Sequence, residues 1–446
     1  MQYYSRKVKI FTAMYDDDQP GVHPLTYFRI AQLQSSALLP SLRHLHYNLG
    51  EPSIPHIFLF LSPLIDSVEL FNIDGFEDTV VGSFLATLPS ECPMLSRMVL
   101  RAGDLSADVL KRSIVHFNQL RTLELFDAVY MDNFALWETL GTLPSLVNFT
   151  LRTLDPHPMP AFKSSSSTGQ SGDPKYFDTL ESLFVTASFV FIQRLLSFID
   201  SSCLKSIKVH PDIDYLHKEH DHTIHEDLFA PSMTIIASKW SKSLQNLFIN
   251  TNLSGITRRN VISKYLMPLT DLHETQTFHL KCRWVENMDD DIRRLVTLWP
   301  KIRFLNLKQT LMSLSTLRTI AEKCPELRYL HIQLDISSST TIPPLDSFSK
   351  TVHHNLEVLT VAGVHPSASD TNRSARETTR FAKNNTRSAR DTTSSISTQT
   401  TRECRIQVAR CLDLIFPHLK SIEVWDESCL WSVEVRDLVK LCQDSR

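Results

Sequence analysis

The stretch SLSTLRTIAEKCPELRYLHI, residues 313–332, contains one whole structural unit. Leu314, Leu317 and Ile320 recur at the three-residue spacing of a single helix face. Cys324-Pro325 then stops the helix, because proline lacks the N–H that the next turn needs and its ring crowds the preceding one. Leu327, Leu330 and Ile332 follow as apolar-x-x-apolar-x-apolar, and the alternation at its end is that of a half-buried strand. The unit is therefore helix, proline, strand.

The same six-residue strand pattern returns along almost the whole chain. Clear copies are Leu42-Leu45-Tyr47, Leu95-Met98-Leu100, Leu120-Leu123-Leu125, Leu146-Phe149-Leu151, Leu180-Leu183-Val185 and Leu204-Ile207-Val209. The series goes on through Leu244-Leu247-Ile249, Ile302-Leu305-Leu307, Leu356-Leu359-Val361 and Leu419-Ile422-Val424. Ile65-Val68-Leu70 fits less cleanly, Phe278-Leu280 is preceded by Thr275 at the first apolar position, and Val8-Ile10 reads as half a repeat. Cys404, Val408, Cys411 and Ile415 mark another amphipathic helix, ending before Pro417. Most intervals are about 23 to 31 residues, the length that builds one strand and one helical return.

No single repeat can bury its own apolar strand face, so the copies must stack. The expected fold is an α/β leucine-rich-repeat solenoid, a horseshoe with parallel strands on the concave face and helices on the convex face. Repeats are expected over 1–365, with polar insertions near 156–176 and 211–230, and a C-terminal repeat and cap over 403–446. The segment 366–402 is rich in Ser, Thr, Asn and Arg and holds RSARETT (373–379) and RSARDTT (387–393). Such composition predicts disorder, since it has little apolar surface to offset the entropy of ordering, and basic residues beside hydroxyls point to phosphorylation.

The Cys-Pro-x-Leu and Leu-Pro-x-Leu openings, the uneven repeat lengths and phrases such as LLPSLRHLHY resemble the leucine-rich-repeat region of the large fungal F-box protein class. In that family the repeats present substrates, while a separate F-box helix bundle docks on a Skp-type adaptor of a cullin-RING (SCF) ubiquitin ligase. The resemblance thus implies a substrate-binding part of such an adaptor. Here strand pattern begins almost at Met1, so an F-box, and with it a Skp-type partner, is expected only outside this chain. Leu39-Pro40 resembles an F-box opening but leads into a strand repeat. The alternative is a stand-alone leucine-rich-repeat interaction scaffold. The family's usual asparagine at the ninth repeat position stands at Asn252, whereas Gly50, Gly103, Ala128 and Asp335 replace it elsewhere.

Composition narrows the function classes. With 46 basic against 49 acidic residues, the net charge of -3 gives no overall field toward nucleic acid or membrane. No window approaches 18 continuous apolar residues, and MQYYSRKVKIF lacks the apolar core of a secretory signal, so a cytoplasmic or nuclear monomer is expected. Eight cysteines are scattered without paired spacing, and those in the Cys-Pro steps, Cys92 and Cys324, are expected to be buried and reduced. Phosphate-loop glycines, a nucleophile-elbow serine motif and Cys-x-x-Cys pairs are missing, so neither enzymatic activity nor a cofactor is expected.

On a repeat strand the third, fifth and seventh positions face away from the core. The seventh positions of successive repeats read Phe71, Arg101, Phe126 and Arg152, an alternation of ring and guanidinium suited either to mutual pairing or to protein contact. The same face further along offers Phe184, His210, Phe248, Lys281, Phe304, Lys308, Tyr329 and Trp425. Together these predict a protein or peptide ligand, with aromatic and basic groups fitting acidic or phosphorylated residues. A second cluster, LHKEHDHTIHEDL, sets His217, His220, His222 and His225 among Glu219, Asp221, Glu226 and Asp227. Its spacing matches no zinc motif, so it is expected to be a polar surface insertion without metal.

Overall fold

The computed structural model describes residues 2–13, 26, 29–30, 32, 37–49, 54–73, 78–101, 103, 105–127, 133–153, 175–211, 223–251, 266–282, 289–334, 354–362, 405–424 and 430–444. The chain forms two compact units, Met1–Leu244 and Gln245–Arg446. The first holds β1 (Ile10–Ala13), β2 (His44–Asn48), β3 (Ser67–Phe71), β4 (Arg97–Arg101), β5 (Thr122–Phe126), β6 (Asn148–Arg152), β7 (Ser182–Ala187) and β8 (Ser206–Pro211), each parallel to the next. Its main helices are α1 (Asp78–Glu91), α2 (Ala107–Ile114), α3 (Phe134–Gly141), α4 (Phe189–Phe198) and α5 (Thr223–Trp240).

The second unit repeats the plan with β9 (Asn246–Thr251), β10 (Thr277–Cys282), β11 (Phe304–Met312), β12 (Tyr329–Leu334), β13 (Val358–Ala362) and β14 (Ser421–Val424), again parallel in chain order. Its helices are α6 (Asp289–Leu298), α7 (Leu314–Lys323), α8 (405–415) and α9 (Leu430–Asp444). Short 3-10 helices, Ile54–Phe60 and Met267–Asp271, also lie on the returns between strands. Both units are leucine-rich-repeat solenoids.

Register is set by the apolar pattern. Met98, Leu123, Phe149, Leu183 and Ile207 stand opposite one another from strand to strand, all at most 1% exposed, so every repeat's inward residue packs on the equivalent of the next. A slip of one residue would turn that whole set outward. The proline steps have a matching geometric role. The N–H of Leu95 donates to the carbonyl of Cys92, and that of Leu327 to Cys324, each closing a four-residue turn with proline second. That position asks for proline's fixed φ and needs no N–H. Leu39-Pro40 belongs to such a turn, closed from Leu42 to Leu39, directly before β2.

Helix starts follow capping chemistry. The side chains of Ser106, Asn133, Ser188 and Ser313 accept backbone N–H bonds at the first turns of α2, α3, α4 and α7. Helices of eight to ten residues do not persist alone, and here bonds from one repeat to the one before it hold them. Trp240 Nε1 donates to Ser201 at 2.7 Å, and Trp299 Nε1 to Leu269 at 3.2 Å. Lys239 Nζ donates to the carbonyls of Leu196, Ser197 and Ile199 at the end of α4, with the Asp200 carboxylate 3.5 Å away. Burial lowers the pKa of this amine and Asp200 opposes the change. Lys239→Met removes the donor from three carbonyls at once, and should lower stability by about 1–3 kcal/mol, read from the urea midpoint at unchanged slope.

Several expectations are refined. In the half repeat at the start, Phe11 and Ala13 stand opposite the inward Leu45 and Tyr47, while Ile10 stands opposite His44 and is 60% exposed. Phe11 stacks on Phe60 at 4.2 Å, which fixes that register. Thr275 occupies its apolar position fully buried because its hydroxyl donates to Leu272 at 2.9 Å. The polar stretch after Pro211 gives way to α5, whose Phe229, Met233, Ile236, Ala237 and Trp240 are buried at helical spacing. Cys92, Cys324 and Cys411 are buried thiols, with burial as the leading cause pushing their pKa values to about 11, 12 and 11.

Candidate functional site

In each unit the open sheet face, opposite the helices, carries the third, fifth and seventh positions. In the first unit Arg101 stands opposite Phe126, and Phe126 opposite Arg152. The Arg101 guanidinium lies over both neighbouring rings, 5.0 Å from the centroid of Phe71 and 4.9 Å from that of Phe126. One strand spacing, about 4.8 Å, is what allows a planar cation to sit between two rings on flanking strands. Glu69, two residues before Phe71, places a carboxylate 3.7 Å from Arg101 and 3.0 Å from His46.

The neighbouring row is also internally paired. Arg97 directs Nε and Nη2 to one oxygen of Glu124, at 3.2 and 2.8 Å, and His44 meets Asp66 at 3.1 Å. Lys208 sits over the ring of Phe184 at 4.3 Å, from the directly opposite position of β8. The carboxylates Glu69 and Glu124 are thus held within the face, each by a basic partner. Arg152 is exposed and has no ion pair or ring contact among the described residues.

The seventh-position row does not continue unbroken. Thr186 follows Arg152 and is buried, with His210 opposite it, whereas Phe184 belongs to the fifth-position row. The row ends in a backbone feature: Asn72 and Asp127, immediately after Phe71 and Phe126, have φ of 52° and 58°. Asn and Asp tolerate this left-handed geometry better than other side chains, which lets the chain leave the strand sharply beyond each ring.

In the second unit Phe248, Phe304 and Tyr329 come together in an open groove of about 400 Å³, completed by Thr277, Arg303 and Arg328. Phe304 lies 6.1 Å from Tyr329 and 5.2 Å from His331, both at tilted angles. Arg303 is tied to Glu326 at 3.0 Å, while Arg328 makes no ion pair among the described residues. Lys281 and Lys308 occupy seventh positions farther along the strands. Lys308 lies in an irregularity of β11, where the pairing jumps from Leu307 opposite Ile332 to Leu311 opposite Gln333. Burial lowers its pKa, Glu423 opposes the shift, and Lys281 adds to it. His331 is lowered as well, chiefly by burial and then by Lys308.

The residues picked from the third, fifth and seventh positions left out Lys208, His46, His279 and His331, all at fifth positions, and Arg328 at a second position. Aligning the second, third and fifth positions across repeats would have found them. Trp425, the histidines His217, His220 and His222, and the segment 366–402 lie outside the described residues, as does the side chain of His225 within α5. Among the described residues no group of three or more His, Cys, Asp or Glu side chains could hold a metal ion, and no helix is long and apolar enough to cross a membrane.

No family model matches this sequence, and no curated protein matches it. Among solved structures the chain is similar to an internalin from Listeria monocytogenes, at 13% identity and a TM-score of 0.34, over 78% of this chain and 92% of that one. It is similar also to a chain of the Rad7 and Elc1 complex in yeast, at 13% identity and a TM-score of 0.34, over 77% and 84%.

Proposed function

We propose that this chain is a protein-recognition scaffold that captures its partner on the open sheet face, and that it serves as the substrate-binding part of an F-box-type adaptor of a cullin-RING ubiquitin ligase. The observation that carries recognition is the Phe71–Arg101–Phe126 sandwich beside Arg152, which has no ion pair among the described residues. Rings on both sides hold the Arg101 guanidinium in place before any ligand arrives, which reduces the ordering cost of binding, and aromatic and arginine side chains dominate interface energies. Two alternate strands present two guanidiniums about 10 Å apart, a spacing an extended acidic segment can span.

The double variant Arg101→Ala/Phe126→Ala should abolish capture of a partner identified with the unaltered protein, while circular dichroism and the melting temperature stay within a few degrees. Undiminished capture by the folded variant would remove this face from consideration. The ligase role rests on the repeat openings that resemble the fungal F-box class. It predicts that the complete gene product co-purifies with a Skp-type protein. The second reading is a stand-alone interaction scaffold, and failure of that co-purification would favour it over the first.

A further inference from the structure

The open face of the first unit changes character between β5 and β6. On β2–β5 the carboxylates Glu69 and Glu124 hold His46, Arg97 and Arg101. The third, fifth and seventh positions of β6–β8 carry no carboxylate, and Arg152, Lys208 and His210 stand there among hydroxyl, amide and ring side chains. Arg152 and Lys208 are both exposed, and among the described residues neither has an ion pair. The acids flanking this patch are engaged elsewhere. Glu124, opposite Thr150, is held by Arg97 at 2.8 Å, and Glu181, at the second position of β7, by Lys205 at 3.0 Å. Asp127, next after Phe126, leaves β5 at a φ of 58° and forms no ion pair among the described residues.

Lys208 stands opposite Phe184, and its ammonium lies over that ring at 4.3 Å, which draws the charge from β8 across to β7. Arg152 stands opposite Thr186, two residues beyond Phe184 on β7. One strand spacing of about 4.8 Å and two residues of about 3.3 Å put the backbone of Arg152 roughly 8 Å from that of Phe184, whose ring carries the ammonium. An extended peptide repeats the side chains of one face every second residue, or roughly 6.7 Å. The guanidinium on its long stem closes the difference. Two cations that no carboxylate of their own face neutralises attract an anion, and the spacing decides which anion fits.

We infer that β6–β8 form an acid-binding patch that holds an extended peptide through the pattern acid-x-acid, with one carboxylate on Arg152 and the carboxylate two residues away on Lys208. The inference rests on the recognition role proposed above and carries the acidic segment onward from Arg152 to Lys208. One exposed ion pair is worth little, so the pair of charges acts together. The hydroxyls of Thr150, Ser182 and Ser206 lie on the same face and can donate to the peptide's carbonyl groups. Nucleic acid is disfavoured, because its affinity grows from many phosphate contacts. Phe184, the ring of this patch, already carries the Lys208 ammonium on its face and offers no platform to a base.

The test is to pan a random dodecapeptide display library on the full chain after depletion on Arg152→Gln/Lys208→Gln, and to measure the most enriched peptide by fluorescence polarisation. Enriched sequences should carry Asp or Glu two positions apart. Changing either acid to its amide should weaken binding at least about 3-fold, as should Arg152→Gln or Lys208→Gln alone, and the double variant should lose roughly 10- to 100-fold. Arg152→Lys and Lys208→Arg keep the charge and should stay within about 2-fold of the unaltered chain, whose binding should weaken as salt rises from 50 to 500 mM. Both side chains are exposed, so the variants should melt within a few degrees of the unaltered chain. If the double variant melts early, Lys208→Gln alone serves for depletion. Partner capture that survives Arg101→Ala/Phe126→Ala, with a peptide that still needs Arg152 and Lys208, would sink the sandwich and support this patch. Partner capture lost in that variant, with a peptide indifferent to Arg152 and Lys208, would overturn this patch alone. No sequence surviving depletion, enrichment without the acid pair, or a thymidine dodecamer that binds more tightly than the peptide would also overturn it.

Discussion

Replacing Trp137 by alanine is expected to destabilise the first unit by about 3–5 kcal/mol, the range for deleting a large buried aromatic side chain. Trp137 is fully buried in α3 and meets Phe191 of α4 edge-on at 5.5 Å and Phe149 of β6 at 6.2 Å. Phe149 in turn stacks on Phe177 at 5.7 Å, and Phe177 meets Phe198 at 6.1 Å. One indole thus joins two helices and the strand layer across successive repeats. The surroundings are already fixed. Gly141 allows the backbone to approach Tyr176 so closely that a Cβ there would sit 2.9 Å from its side chain, and Phe177 takes a φ of 58° while its N–H donates to the Gly141 carbonyl at 2.7 Å. Such a wall cannot collapse into the vacated space, which puts the loss toward the upper end of the range. Because repeats are coupled mainly to their neighbours, the damage should spread to adjacent repeats before reaching the ends. Chemical denaturation monitored by far-UV circular dichroism checks this, with Val115→Ala, at a 50% exposed position, as a control expected to change stability by less than about 0.5 kcal/mol. A Trp137→Ala loss no larger than that of the control would refute the packing described.

Acid should weaken the second unit through His354. This side chain is 2% exposed, its ring is 5.3 Å from Phe416, and its Nδ1 accepts the Leu356 N–H at 2.9 Å. Protonation would set an N–H against that N–H, and the buried environment disfavours the charge, so the pKa falls from 6.5 to about 4. The Cys324 carbonyl, which makes no hydrogen bond of good geometry with Nε2, offsets only part of the shift. In the unfolded chain the imidazole titrates near 6.5, so between there and about 4 the unfolded state binds more protons than the folded one. The contribution of neutral His354 is complete above 6.5, declines as pH falls through this window, and levels off below it. The total is roughly 3 kcal/mol, at no more than about 1.4 kcal/mol per pH unit. His354→Asn keeps an acceptor for the Leu356 N–H without the titration. The stability difference between the two proteins should therefore change by roughly 3 kcal/mol from pH 7 to pH 4, and a difference that does not vary with pH would exclude this role for His354.

Much of the fold was legible because two periodicities were strong. The inward triplets and the proline turns recur in the chain as they stand in the sheets, and the Cys-Pro steps gave buried thiols as expected. What escaped was decided by neighbours in space. Ile10 reads as the second apolar residue of a half repeat, yet the stacking of Phe11 on Phe60 turns Ile10 to the open face. The start of α5 was hidden by the charged residues around the histidine cluster, although Phe229 packs edge-on against Phe189 at 5.8 Å. The ring-and-guanidinium row was visible as spacing, but its partners were not: nothing in one repeat reveals that Glu69 serves His46 in the strand before it and Arg101 in the strand after.

Site-specific photo-crosslinking in living cells probes most directly the idea that the open sheet face, and not the helical face, recognises protein. A benzophenone side chain is placed singly at Phe126 or Tyr329 on the open face, and at Ser197 or Glu322 on exposed helix positions. Discrete, saturable protein adducts are expected from the two open-face positions and none from the helix positions. Adducts from Ser197 or Glu322 with none from Phe126 and Tyr329 would contradict it.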